Sequence, residues 1–103
     1  MNEQNPLEIF QQVAPEVASA FDGLIQSLIK MKGLDPKTKQ LIYIGMKAAT
    51  GDSLAVKYHV PMAKKFGATR EEITDTILLT LSTSGLRGVS SCLPMALNAF
   101  DES

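Results

Sequence analysis

The sequence predicts an all-α fold, a bundle of about six helices forming one domain over residues 1–103. Apolar residues recur three and four positions apart along most of the chain, and no stretch of strand length alternates between apolar and polar residues. Prolines and glycines divide this pattern into segments of ordinary helix length. The 103 residues are the size of one domain, and no stretch has the composition of a linker.

The first two helices are predicted on either side of a proline. Leu7, Ile9 and Phe10 suggest a short opening helix that gives out before Pro15. Pro15 can begin the second helix, because a first-turn residue has no helical use for its missing N–H. Gly33 is the predicted end of that helix. Its apolar face is Val17, Phe21, Leu24, Ile25, Leu28 and Ile29.

The third helix has a clear start and an unusually apolar middle. Asp35 is the predicted N-cap and Pro36 the first helical residue. Residues 41–46 are apolar nearly all round, so we expect this helix to be buried on several sides. In so small a chain, that indicates a partner subunit. Gly51 is the predicted end.

The fourth helix carries the single histidine of the chain. Asp52 or Ser53 can cap its start, and Gly67 ends it. Its predicted apolar stripe is Ala55, His59, Met62 and Phe66, flanked by Leu54, Tyr58 and Ala63.

Two further helices complete the predicted bundle. Thr69 and Glu72 have the spacing of a capping box, and the chain turns again near Gly85. The predicted core face of the fifth helix is Ile73, Ile77, Leu78 and Leu81. The predicted face of the last helix is Leu86, Val89, Leu93, Leu97 and Phe100.

Composition excludes several classes of function. The net charge of −1 provides no basic surface for nucleic acid. No apolar run approaches the roughly 20 residues of a membrane span, and residues 1–6 do not resemble a secretory signal. One cysteine, Cys92, cannot form an internal disulfide, so we expect a cytoplasmic protein. One histidine and one cysteine do not make a typical metal site, and we find no phosphate-binding loop or nucleophilic triad.

His59 is the strongest functional candidate. One interpretation is a core histidine whose ring nitrogens are satisfied by neighbours. The other is a proton-transfer group, because an apolar environment favours the neutral ring near pH 7. Pro61 also deprives the carbonyl of Lys57 of its helical donor, and this carbonyl could face a cavity.

Four segments together resemble a known family. LDPKTKQLI (34–42), AATG (48–51), YHV (58–60) and FGATREEI (66–73) are similar to the carboxymuconolactone decarboxylase family, which includes the alkyl-hydroperoxidase D proteins. The resemblance implies an all-α fold that assembles as a homotrimer or homohexamer. It implies one of two activities, a thiol peroxidase or a lyase that decarboxylates a lactone acid without metal or cofactor.

The redox branch of the family uses a Cys-x-x-Cys pair, a histidine and a glutamate. The matching positions here are Asp52, Ala55, His59 and Gln40, so only the histidine is present. A peroxidatic pair needs one activated thiolate and a second thiol to resolve it. We therefore expect no thiol peroxidase activity, and Asp52 is expected to act as a helix cap.

The resemblance leaves two hypotheses. In the first, the protein is a cofactor-free lyase on a small carboxylated lactone, with His59 moving a proton and Gln40 orienting it. Arg87 is then a candidate for the substrate carboxylate, and Tyr58 a second contact. Three of these side chains also have a structural interpretation: Gln40 as a solvated residue, Arg87 as a surface residue and Tyr58 as a packing residue. In the second hypothesis, the protein is a non-catalytic oligomer that binds small molecules through a degraded site.

Overall fold

The computed structural model describes residues 5–103, which form α-helices joined by short turns, with no β-strand in that range. This confirms the all-α prediction. The first four residues, part of the segment compared above with a secretory signal, lie outside the described residues. The chain forms two compact units, divided between Gly33 and Leu34. No helix among residues 5–103 has the length and apolar character needed to cross a membrane.

The first unit contains two helices, α1 (Pro6–Val13) and α2 (Pro15–Lys30). The side chain of Asn5 caps α1 by accepting a hydrogen bond from the N–H of Leu7 at 2.8 Å. The expected end at Gly33 is wrong, because α2 ends at Lys30. Met31 follows in an extended conformation and donates its N–H to a carbonyl inside the last turn. The helix therefore ends without a left-handed glycine.

The second unit contains α3 (Pro36–Ala49), α4 (Ser53–Lys65), α5 (Arg70–Leu79), α6 (Leu81–Ser84) and α7 (Arg87–Glu102). Helices α3 and α7 each pack against both α4 and α5. Asp35 caps α3, accepting from the N–H of Thr38 at 2.7 Å. Thr69 and Glu72 form the predicted capping box of α5. The chain turns where the sequence predicts it, at three glycines with positive φ, Gly51, Gly67 and Gly85.

The buried face of α4 differs from the predicted one. The fully buried residues are Val56, Val60 and Ala63, whereas Met62 and Phe66 are exposed. Val56 and Val60 each directly follow a residue of the predicted stripe, so the real face is rotated by about 100°. His59 consequently lies at the edge of the buried face and is half-buried.

Small residues make the closest contacts of α7. Gly88, Cys92 and Ala96 are buried, while Leu86 of the predicted face is 69% exposed. A Cβ on Gly88 would lie 2.8 Å from the carbonyl oxygen of Ala48 in α3. Close approach of two backbones selects small residues there. The larger apolar side chains Val89, Leu93 and Phe100 are partly buried and pack against the hydrophobic core.

The predicted core face of the fifth helix is also corrected. Leu78 and Leu81 are 39% and 43% exposed, and the expected single helix divides at Thr80 into α5 and α6. In residues 41–46 only Ile44 is fully buried, and Ile42 and Met46 are 44% and 59% exposed in the single chain. The helix α3 packs against α4, α5 and α7, and within residues 37–49 only Ile42 and Met46 are exposed.

Candidate functional site

Three polar side chains of α3 form a row that faces α4. Gln40, Tyr43 and Lys47 are spaced by three and four residues, so they lie within about 60° of each other around the helix. Since α3 packs along α4, this row lies beside His59. The arrangement combines an amide, a phenol ring and an ammonium group around a single imidazole.

The first contact of the row fixes the orientation of the imidazole. Nδ1 of His59 lies 3.0 Å from Oε1 of Gln40. An amide oxygen can only accept, so Nδ1 carries the hydrogen and Nε2 keeps the lone pair. Nε2 has no hydrogen-bond partner among the described residues. Every buried side-chain nitrogen of those residues does have a partner, so Nε2 is not one of the buried atoms. Nε2 is therefore open to solvent.

The second contact of the row is an aromatic one. The rings of Tyr43 and His59 have centroids 4.1 Å apart and planes inclined by 35°. This stacking leaves the imidazole little freedom to turn about its own axis. Tyr43 was not predicted as a site residue, because it lies in the apolar run 41–46. Its position three residues after Gln40 is the signal that could have found it.

The third member of the row brings a positive charge to the site. Nζ of Lys47 lies 5.7 Å from the centroid of the Tyr43 ring and 3.6 Å from Oδ2 of Asp52. The other carboxylate oxygen of Asp52 accepts the N–H of Ala55 at 3.1 Å and so caps α4. This confirms Asp52 as the cap. It also places the start of α4 next to the end of the row.

Burial and charge keep the imidazole neutral. Partial burial lowers the pKa of His59 below its ordinary value, and the Lys47 ammonium lowers it further. Gln40 carries no charge with which to oppose either effect. The site thus presents a neutral, oriented imidazole beside a cation. Such a ring can accept a proton at Nε2 near pH 7.

The other two predicted site residues lie elsewhere on the second unit. Tyr58 is 55% exposed and contributes, with Lys57, Pro61 and the end of α7, to a shallow cavity of about 290 Å³. The stem of Arg87 packs on the α3–α4 turn, its Cγ 3.2 Å from where a Cβ on Gly51 would be. No described ring contact, hydrogen bond or ion pair joins Tyr58 or Arg87 to His59.

Cys92 and the acidic residues provide no further reactive centre. The side chain of Cys92 is fully buried, and burial, assisted by the charge of Asp52, raises the pKa of its thiol. Within residues 5–103 no three His, Cys, Asp or Glu side chains are grouped closely enough to hold a metal ion.

The fold and the site define a small all-α protein with one histidine held between two helices. The model of the carboxymuconolactone decarboxylase family matches residues 15–99. The chain therefore belongs to this family, which confirms the resemblance seen in the sequence.

Known relatives support this assignment. Two uncharacterised proteins of Methanocaldococcus jannaschii are 32% and 30% identical to this chain over 81 and 80 residues. These alignments cover 78% of this chain and 78% and 75% of the relatives.

Solved structures show the same fold. The crystal structure of a carboxymuconolactone decarboxylase family protein from Legionella pneumophila is 31% identical, with a TM-score of 0.81. The match covers 93% of this chain and 85% of that one. A crystal structure from Burkholderia xenovorans has a TM-score of 0.88 over 98% of this chain and 79% of its own. At 21% identity, this second likeness concerns the fold alone.

Proposed function

We propose that the protein is a cofactor-free lyase that removes carbon dioxide from a small carboxylated lactone or a related acid. His59 is the proton-transfer group and Gln40 orients it. The observation that carries the proposal is the hydrogen bond from Nδ1 of His59 to Oε1 of Gln40, which leaves Nε2 as a solvent-accessible base. Membership of the family supplies the class of reaction.

The proposed step needs only a proton at one carbon. The bond between that carbon and the carboxylate breaks, carbon dioxide leaves, and the electron pair remaining on carbon takes up a proton. Nε2 of His59 accepts this proton from solvent and delivers it, while the Nδ1–H bond to Gln40 keeps the ring in place. The lowered pKa of His59 favours its return to the neutral ring after each transfer.

Thiol peroxidase activity does not fit this site. Asp52, at the position of the first cysteine of the redox branch, caps α4 with its carboxylate. Ala55, at the position of the second, has no redox chemistry. Cys92 is buried and its thiol pKa is raised, so it is a poor substitute for either.

Carbon dioxide release from carboxylated lactones tests the proposed reaction. Replacing a group that transfers a proton should lower the rate by about 10²- to 10⁴-fold, so we expect such a loss in His59→Gln. Tyr58→Phe and Arg87→Met test the two candidates that lie away from the ring. Lys65→Met, an exposed change on α4, should leave the rate unchanged. An unchanged rate in His59→Gln removes His59 from the mechanism.

A non-catalytic binding protein is the second candidate. The observation that favours it is the uncharged Gln40 in contact with His59, where the redox branch has an acid. In that case a small molecule binds tightly at His59 and is recovered unchanged after long incubation. Any turnover that depends on His59 excludes this candidate.

We also propose that the chain assembles with itself, as a trimer or hexamer, in the cytoplasm. The exposed Ile42 and Met46 line an apolar groove of about 370 Å³ between α3, α5 and α6. Covering it would remove apolar surface from water. Native mass measurement of the wild type and of Met46→Glu tests this, since the charge should weaken the assembly. A stable wild-type monomer contradicts the proposal.

A further inference from the structure

We propose that Lys47 binds the carboxylate group of a small organic acid beside the His59 ring, in exchange for Asp52. The inference concerns binding and holds whether or not the bound acid reacts. It rests on three features of the site, namely the placement of Lys47, the weakness of its internal ion pair and the neutrality of the ring.

The placement of Lys47 follows from the row on α3. Its ammonium group lies 5.7 Å from the Tyr43 centroid, and the Tyr43 ring lies 4.1 Å from the His59 ring. The Lys47 ammonium and the His59 imidazole therefore both lie against the Tyr43 ring, and the distance between them is no more than the length of a small molecule.

The ion pair of Lys47 is easily exchanged. Its Nζ lies 3.6 Å from Oδ2 of Asp52, longer than a charge-assisted hydrogen bond of about 2.8 Å. The two side chains are 39% and 41% exposed, and exposed pairs of this kind are weak. The other oxygen of Asp52 is bonded to the N–H of Ala55, which ties the carboxylate to α4. A free carboxylate can approach Lys47 without this constraint.

The charge balance of the site selects an anion. Burial and, after it, the Lys47 ammonium lower the pKa of His59, so Lys47 and the ring share one electrostatic environment. A carboxylate at Lys47 would neutralise this cation and stabilise a proton on the ring. A cationic ligand would meet repulsion instead. Arg87, in contrast, has its stem packed on Gly51 and no described contact with the ring.

Benzoate and benzamide provide a matched pair of probes, since they share a shape and differ in charge. The single histidine allows its imidazole signals to be followed by NMR in the full chain without a histidine tag. We expect benzoate to shift these signals saturably and to raise the pKa of His59. Benzamide should bind at least about tenfold more weakly than benzoate, because it lacks the negative charge.

Two substitutions change the affinity in opposite directions. Lys47→Met should weaken benzoate binding by about tenfold or more, while Lys65→Met, with the same loss of charge on an exposed part of α4, should not. Asp52→Asn should strengthen binding, because asparagine retains the cap and removes the competing charge. Thermal melts report whether each variant is folded, and Asp52→Asn alone decides the matter if Lys47→Met does not fold.

Three results would overturn the inference. They are equal binding of benzoate and benzamide to the wild type, equal affinity in Lys47→Met and Lys65→Met, and weaker binding in Asp52→Asn. The readout is separate from catalysis. A protein that binds benzoate through Lys47 yet releases no carbon dioxide supports this inference and counts against the lyase.

Discussion

The amide oxygen of Gln40 lies 3.0 Å from Nδ1 of His59, and this bond between α3 and α4 determines which ring nitrogen faces solvent. The glutamate at this position in the redox branch would hold the ring in the same orientation but would also stabilise its charged form. With glutamine, orientation is retained and the charge preference is lost. The pKa of the ring is therefore left to burial and to the charge of Lys47.

The pKa of His59 should respond to the charge at position 40. Gln40→Glu places a carboxylate against Nδ1–H and should raise the pKa of His59 by about one unit or more. Gln40→Ala removes the hydrogen bond without adding charge and should leave the pKa low. NMR titration of the single imidazole measures both. Identical values in the two variants would contradict this account of the ring.

The lowered pKa of His59 also predicts a pH dependence of stability. The unfolded chain binds a proton at His59 near pH 6.5 and the folded chain binds it only at lower pH. The stability contributed by the neutral ring is therefore fully present above about pH 6.5 and is lost as the pH falls through the lower pKa of the folded protein. His59→Gln lacks this component. Urea unfolding of both proteins between pH 7.5 and 5 should show a steeper decline in the wild type.

Gly88 should not tolerate a side chain. A Cβ there would lie 2.6 Å from Oγ1 of Thr80 and 2.8 Å from the carbonyl oxygen of Ala48. Gly88→Ala should therefore destabilise the protein by about 1–3 kcal/mol. Gly23→Ala is the matched control, because nothing lies within 4 Å of its Cβ. Within a helix it should add about 0.5–1 kcal/mol of stability. Thermal unfolding compares the two, and a stabilising Gly88→Ala would refute the close contact.

The capping box of α5 should contribute measurably to stability. The hydroxyl of Thr69 accepts the N–H of Glu72 at 3.1 Å, and the Glu72 carboxylate accepts the N–H of Thr69 at 2.9 Å. Thr69→Ala should cost about 1 kcal/mol, and Thr69→Ser much less. Thr74→Ala serves as control, since that exposed hydroxyl bonds only the preceding turn. Equal losses at both positions in urea unfolding would argue against the cap.

Cys92 should be inert in the folded protein. Its side chain is inaccessible and the pKa of its thiol is raised, so little thiolate is present to react. Ellman's reagent should modify it quickly only after denaturation. Peroxide should not be consumed by the native protein. Rapid native labelling, or peroxide consumption that disappears in Cys92→Ser, would reverse this conclusion.

Helix boundaries were largely predictable because their signals are local. Asp35, Asp52 and Thr69 were each predicted to cap a helix, and each accepts the backbone N–H expected of it. Gly51 and Gly67 end helices at positive φ for the same local reason. The predicted helix end at Gly33 was wrong, because α2 ends three residues earlier with a backbone hydrogen bond that any residue but proline could donate.

The buried faces were less predictable. An apolar side chain can lie in the core or at the surface, and only its neighbours in space decide between them. On α4 the core takes Val56 and Val60 and leaves Met62 outside. On α7 the core takes Gly88, because the carbonyl of Ala48 in α3 lies too close for a side chain, and it also takes Cys92.

The sequence by itself determined the helical class, most helix ends and the resemblance to the family, and it made His59 the main candidate for a site residue. These follow from local propensity and from the spacing of residues along one chain. Only the tertiary structure decided that Gln40 bonds to Nδ1, that Tyr43 stacks on the ring and that Lys47 stands beside them. The reason is physical, since these contacts depend on the rotation of α3 against α4, which the packing of both helices sets.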